Sequence, residues 1–186
     1  MPNKLKKDST AKNGGFTLIE LLVVIAITSL ISSIVLASLN TAKKKARDAQ
    51  RLSDMKQLQI ALEFYYDKNG QYPSNTDGDD ICGGWDGGRN GGPGSSDLFM
   101  QPIEAANFMQ RTPSDPIATG GCGGYAYYLY PAGNSGCPTT RGNYYVLGVR
   151  GMETSNGTYP GSPGWSCPPT RDWQTEFEWV IGKFEK

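Results

Sequence analysis

From Leu21 to Ala42 the chain runs for 22 residues without one ionisable side chain. Wound as an α-helix rising about 1.5 Å per residue, that run is about 33 Å long, close to the roughly 30 Å hydrocarbon core of a bilayer. It has to be covered by lipid or by other protein, and one membrane crossing is the direct reading. Just ahead of it stands Glu20, within Phe16-Thr17-Leu18-Ile19-Glu20-Leu21-Leu22-Val23-Val24. A charge deep in a bilayer costs roughly 2.5–3.5 kcal/mol on insertion scales, so such a residue marks a functional site by default. The run offers no cation. The neutralising charge is therefore expected from another molecule or from a newly made N-terminus, unless Glu20 simply sits at the headgroup level.

Upstream, Lys4, Lys6, Lys7, Asp8 and Lys12 form a leader of net charge +3. A secretory signal peptide would follow such a leader with an apolar core of about 7–15 residues and a small-residue cleavage site behind it. Val35-Leu36-Ala37 offers such a site, but the run is too long for that class. A plain anchor without processing is the other competitor. What separates them is the junction Gly14-Gly15-Phe16-Thr17-Leu18-Ile19-Glu20, which resembles the prepilin signature of type IV pilins and type II secretion pseudopilins. The resemblance implies that a prepilin peptidase cuts on the cytoplasmic side after Gly15, with Gly14 beside the cut, and methylates the new amine of Phe16. Residues 1–15 are then a removable leader, and cleavage ahead of the helix leaves the helix in the mature chain.

Such a cut turns a neutral amide into a cation. A repeat of 3.6 residues puts Phe16 and Glu20 about one turn apart, so a neighbouring copy displaced by about one turn can bring its Phe16 amine to this Glu20. Both ions lose water in the pair, while a missing partner costs far more. Glu20 is accordingly read as a registry device that sets the stagger between subunits and bars uncleaved chains. Many family members carry a glycine and a proline within this segment, where this chain has Ser29 and Ala37. With no proline between Phe16 and Tyr72, nothing in the backbone compels a kink. Thr28, Ser29, Ser32, Ser33 and Ser38 supply small polar groups that permit close helix approach or bond back to carbonyls.

The next stretch, Lys43-Lys44-Lys45-Ala46-Arg47-Asp48-Ala49-Gln50-Arg51, is as basic as the leader, so charge asymmetry assigns no orientation. Contact with lipid headgroups or a filament neighbour, and a solvated helix face, are both open. Apolar residues then recur at Leu52, Met55, Leu58, Leu62 and Tyr65 or Tyr66, in helical steps of three and four. Asn69-Gly70, with Tyr72-Pro73 beyond, is a natural stop. One helix from about Phe16 to about Lys68 is expected, with 16–42 as its transmembrane or filament-core part and 43–73 as an amphipathic continuation. Short aromatic and β-branched segments at 125–130, 143–149 and 175–181 read as strands. In the last, Phe177, Trp179 and Ile181 alternate with Glu176, Glu178 and Gly182, Val180 being the exception. The resemblance implies that the helix stripe packs on a small antiparallel sheet, an α+β pilin-like fold with its sheet head over 122–186. The tyrosines are read as packing groups.

Residues 74–121 form a Gly- and Asp-rich connection. A short helix is expected near Ser96 to Met109, capped by Ser95 or Ser96, with Phe99, Ile103 and Phe108 at loosely helical spacing. Pro113-Ser114-Asp115-Pro116 resembles the turn that precedes the sheet in major pseudopilins and favours the secretion branch. Asn75, Asp77, Asp79 and Asp80 bunch their oxygens, and several pseudopilins bind calcium. Counted from Asn75, however, Asp80 and Asp86 stand where an EF-hand needs Gly and a bidentate Glu, and the family's calcium loop lies after the first strands. Asp77, Asp79 and Asp80 remain calcium candidates, and no cofactor is expected.

Cys82, Cys122, Cys137 and Cys167 all fall beyond the apolar run, with no C-x-x-C pair and no histidine in the chain. That pattern argues against zinc and for two disulfides in an oxidising compartment. Three pairings are possible and spacing cannot select one; Cys122 with Cys137 and Cys82 with Cys167 is preferred. Their common side places the head outside the cytoplasm. Lack of histidine removes the usual base of Ser and Cys nucleophiles, and no phosphate loop or nucleophile elbow occurs. Carboxylates such as Asp79 and Asp115 have no evident partner, so catalysis is not expected. Asn156-Gly157-Thr158 matches a glycosylation sequon. With 18 basic and 18 acidic side chains the chain is no general polyanion binder, and direct nucleic-acid contact is not expected.

The sequence therefore predicts a structural subunit of an extracytoplasmic helical filament, single-pass in a bacterial inner membrane before assembly. Prepilin peptidase, an inner-membrane platform and its ATPase are the partners the resemblance implies. An adhesive or motility pilus and a pseudopilin driving protein export are the two branches. A membrane-anchored binding module that never polymerises is the alternative from another class.

Overall fold

The computed structural model describes residues 15–76, 82–88, 99–117 and 122–186. The chain divides into two compact units between Ala42 and Lys43. Helix α1 (Leu18–Asn69) passes from the first into the second as one element of 52 residues.

In the first unit every described side chain is exposed. Leu21, Ile25, Leu30 and Leu36 are all more than half open, on a helix segment that is apolar all round. It is long and apolar enough to cross a membrane. Its small polar groups bond to the backbone of their own helix: Thr28 Oγ1 donates to the Val24 carbonyl at 2.8 Å, Ser29 Oγ to Ile25 at 2.6 Å and Ser33 Oγ to Leu30 at 2.8 Å.

In the second unit the periodic stripe turns inward. Met55, Leu58, Ala61 and Leu62 are buried, with Leu52, Tyr65 and Tyr66 packed at the margin. Gly70 ends the helix in the left-handed region, φ 71°, and its N–H donates to the Tyr66 carbonyl at 2.7 Å, a stop that a residue with a Cβ makes at a cost. The stripe packs on a sheet built from β1 (Asp86–Gly88), β2 (Gly124–Tyr130), β3 (Tyr144–Arg150) and β6 (Trp179–Phe184), antiparallel in the order β1-β2-β3-β6. A separate two-stranded ribbon joins β4 (Ser166–Cys167) to β5 (Arg171–Asp172). The architecture is the α+β pilin-like one that the sequence predicts.

Several expectations need correction. The last strand begins at Trp179, not at residue 175: Trp173–Thr175 is a 3-10 turn capped by the Asp172 carboxylate, which accepts from the Gln174 N–H. The in-out alternation expected there assumed one wet face. Instead, a second cluster including Trp85, Val146, Trp173, Phe177, Val180 and Phe184 covers the side of the sheet away from the helix, so Val180 is buried too. Gly148 makes this possible, because a Cβ there would overlap the Phe177 ring. Tyrosines Tyr72, Tyr125, Tyr127, Tyr144 and Tyr145 are fully buried, in keeping with packing.

The short helix is reduced to α2 (Gln101–Ala105), entered through Met100 in the left-handed region. Left-handed Asn107 at φ 61° follows it, so the helical path cannot extend to Met109. Ser95 and Ser96 lie outside the described residues. The disulfides are Cys82–Cys122 and Cys137–Cys167, with Cα separations of 5.3 and 5.0 Å, not the preferred pairing. Cys122 and Cys137 flank β2, and seven extended residues at about 3.3 Å each hold their ends roughly 20 Å apart, far beyond disulfide reach.

Candidate processing and assembly site

Gly15, Phe16 and Thr17 precede α1 in non-helical backbone. Phe16 is 92% exposed, and the space around Gly15 is open. An exposed peptide outside regular structure is open to a protease. Gly14 and the rest of the leader lie outside the described residues.

Thr17 and Glu20 bond reciprocally. The Glu20 N–H donates to Thr17 Oγ1 at 3.3 Å, while Glu20 Oε2 accepts from the Thr17 N–H at 3.1 Å and from its hydroxyl at 3.0 Å. The Thr17 carbonyl accepts from Leu21 N–H. Together these make a capping box that satisfies amides a helix start otherwise leaves open. Its signal, Thr-x-x-Glu before an apolar run, stands in the sequence and was passed over. The consequence bears on the charge argument. Glu20 has a partner within its own chain, since the helix N-terminus carries partial positive charge, and an outside cation would add to that or displace it.

The second group of charged residues lies where α1 enters the head. The stretch read as a basic face divides in two. Lys43, Lys44 and Lys45 are exposed, whereas Asp48 and Arg51 are buried. Arg51 Nε donates to Asp115 Oδ2 at 2.6 Å, and its other nitrogens reach Asp115 Oδ1, Asp48 Oδ1 at 2.7 Å and Glu153 Oε1 at 3.1 Å. Arg47 grips Glu153 through two bonds. Asp48 also accepts from the Glu153 and Thr154 amides and the Thr154 hydroxyl. Burial would raise the Asp48 carboxyl, but these donors hold it below the usual aspartate range. Bonds from Arg47 hold Glu153 low against the opposing effect of burial. Burial works against the Arg51 charge, yet its three acids push its pKa up. Nearby, burial raises Asp54 despite the bond it accepts from Tyr125 at 2.5 Å.

Asp115, unpartnered in the sequence reading, is thus the anchor of the Pro113–Pro116 turn on α1. Its separation from Arg51 by 64 positions explains why no local pattern announced the pair. Asp48, Arg51 and Asp54 continue the inward stripe of Met55 and Leu58 at helical steps, but polar residues are invisible to a search for apolar periodicity. The calcium candidates Asp77, Asp79 and Asp80 lie outside the described residues. Among the described residues, no group of His, Cys, Asp and Glu side chains is arranged to hold a metal ion.

Residues 10–36 match the prokaryotic N-terminal methylation motif. Type II secretion system core protein G of Escherichia coli (strain K12) is 39% identical over 70 residues, covering 38% of this chain and 48% of the relative. The protein of the same name from Klebsiella pneumoniae is 29% identical over 142 residues, 76% of this chain and 89% of the relative. That from Vibrio cholerae is 28% identical over 162 residues, 83% and 93%. The chain spans about half or less of the length of the relatives from Escherichia coli, Pectobacterium carotovorum and Aeromonas hydrophila. No solved structure matches the chain. The chain thus carries the prokaryotic N-terminal methylation motif ahead of a long apolar helix and an antiparallel head, and it is similar to type II secretion system core proteins G.

Proposed function

We propose that the chain is a structural subunit of an extracytoplasmic helical filament, and specifically a pseudopilin that serves protein export. The single observation that carries this is the conjunction at the N-terminus: an open Gly15–Phe16 peptide inside the matched methylation motif, directly ahead of a helix whose described apolar side chains are exposed. Such a surface is stable only in lipid or against other helices. The subunit waits in the inner membrane as a single-pass protein. Prepilin peptidase removes Met1–Gly15 and methylates Phe16, and a platform with its ATPase draws the helix into a bundle of copies. Glu20 sets the stagger by exchanging or sharing its Thr17 cap with the Phe16 amine of a neighbour. The chain's contribution is structural. The export branch is favoured because the similar curated proteins carry the type II secretion name and because the Pro-x-Asp-Pro turn holds the head to α1.

Intact mass of the protein from its native membrane tests the reading: loss of Met1–Gly15 with one added methyl group is expected. A chain that still begins at Met1, or begins after Ala37, would refute it. For the registry role, Glu20→Ala should insert in the membrane normally yet fail to form regular fibres in electron micrographs. Normal fibres from that variant would remove the registry role alone.

A further inference from the structure

The basic stretch after the membrane run is only partly absorbed by the head. Of its cations, Arg47 and Arg51 are spent on Asp48, Asp115 and Glu153. Lys43, Lys44 and Lys45 stay exposed and form no ion pair among the described residues. The division has an electrostatic consequence. The two carboxylates bonded to the next turn of the helix, Asp48 and Glu153, are held ionised but already matched by arginine, so neither is left to neutralise the lysines. Three consecutive helical residues fan over about 200° of the helix perimeter, and Lys43 is the first residue after the 22-residue apolar run. Three uncompensated ammonium groups thus ring the helix at the depth where a bilayer changes from hydrocarbon to headgroup.

We propose that Lys43, Lys44 and Lys45 form a collar that binds the phosphate groups of anionic phospholipids and fixes the depth of the subunit before assembly. The lysine stems lie along the apolar helix while their ammonium groups reach the phosphates. Each lysine near an anionic surface strengthens binding about fivefold. Lysine suits the task as a compact charge that accepts phosphate from many directions. The proposal rests on the membrane-span part of the function above, and on neither cleavage nor polymerisation.

The full chain in nanodiscs of equal parts phosphatidylglycerol and phosphatidylcholine provides the test, with native mass spectrometry reading which lipids stay bound. Phosphatidylglycerol should be retained preferentially, and the preference should fall roughly fivefold for each lysine removed in Lys43→Gln, Lys44→Gln and Lys45→Gln combined. The triple arginine variant should keep the preference, and Lys56→Gln, an exposed lysine further along the helix, should not alter it. The leader's lysines are common to all these chains, so the difference belongs to the collar. Equal retention of both lipids, a preference that survives the triple glutamine change, or an equal loss with Lys56→Gln would overturn it. So would lysine-dependent pairing of chains with lipid retention unchanged, which would assign the collar to a neighbouring copy. A chain recovered outside the disc would sink the span and the collar with it, whereas failure of the collar alone leaves an inserted chain without lipid preference.

Discussion

The two halves of α1 treat the same kinds of side chain in opposite ways. Before Ala42, leucine, isoleucine and valine lie open on every side, and the charged group, Glu20, is held only by the first turn of its own helix. After Lys43, the apolar residues gather on one stripe beneath a sheet, and the buried charges are enclosed by partners from three parts of the chain. One half is finished by its own sequence. The other requires a second solvent or a second molecule, and this is what the proposed role of a membrane-borne filament subunit would supply.

That contrast can be broken most forcefully at Arg51. Arg51→Met leaves Asp48 and Asp115 buried without their cation and should destabilise the head by about 3–5 kcal/mol. Denaturant unfolding followed by tryptophan fluorescence measures this, because all four tryptophans lie beyond residue 84. Next in size is a matched pair of leucines. Leu58→Ala, in the covered half, should cost the head about 2–5 kcal/mol, while Leu30→Ala, in the bare half, should leave the same transition within about 0.5 kcal/mol. Equal losses would show that the two halves are not independent.

Acid sharpens the comparison further. Asp48 and Glu153 have folded values below their unfolded ones, so their stabilisation is present above the unfolded carboxylate values of about 4 and is lost as pH falls through the folded ones. Asp54 is raised and has the opposite sign: what it contributes is present at low pH and lost as pH rises through its folded value. The head's unfolding free energy should therefore drop on acidification, less steeply in Glu153→Gln and more steeply in Asp54→Asn. The smallest effect is expected at the helix start. Thr17→Val removes the cap and should cost local helix stability about 1 kcal/mol, visible as faster amide exchange near Leu18 to Leu21 with the head unchanged.

Elements whose signal is local were legible in advance. The inward stripe from Leu52 to Tyr66 and strands β2 and β3 were found from periodicity and aromatic content, because one face of each is decided by near neighbours in sequence. β6 was misplaced at its start because alternation presupposes a wet face, and Phe177 fills the gap over Gly148 to make both faces dry. At the candidate site Gly15 and Phe16 lie inside the matched methylation motif, while the Thr17 cap went unread although its spacing stands in the sequence. Arg51 with Asp115 gave no signal at all.

What the sequence determined by itself is everything set by short-range spacing: a helix long enough to cross a bilayer, a methylation motif ahead of it, and the periodic face that follows. Only the tertiary structure decided which cysteines meet, which acids take Arg47 and Arg51, which lysines are left over, and that the sheet is covered on both sides. Apart from Asp48 with Arg51, three positions apart on one helix, those outcomes join residues from 30 to more than 100 positions apart. Their energies arise from burial and from pairing at close range, and neither exists until the chain has closed those distances.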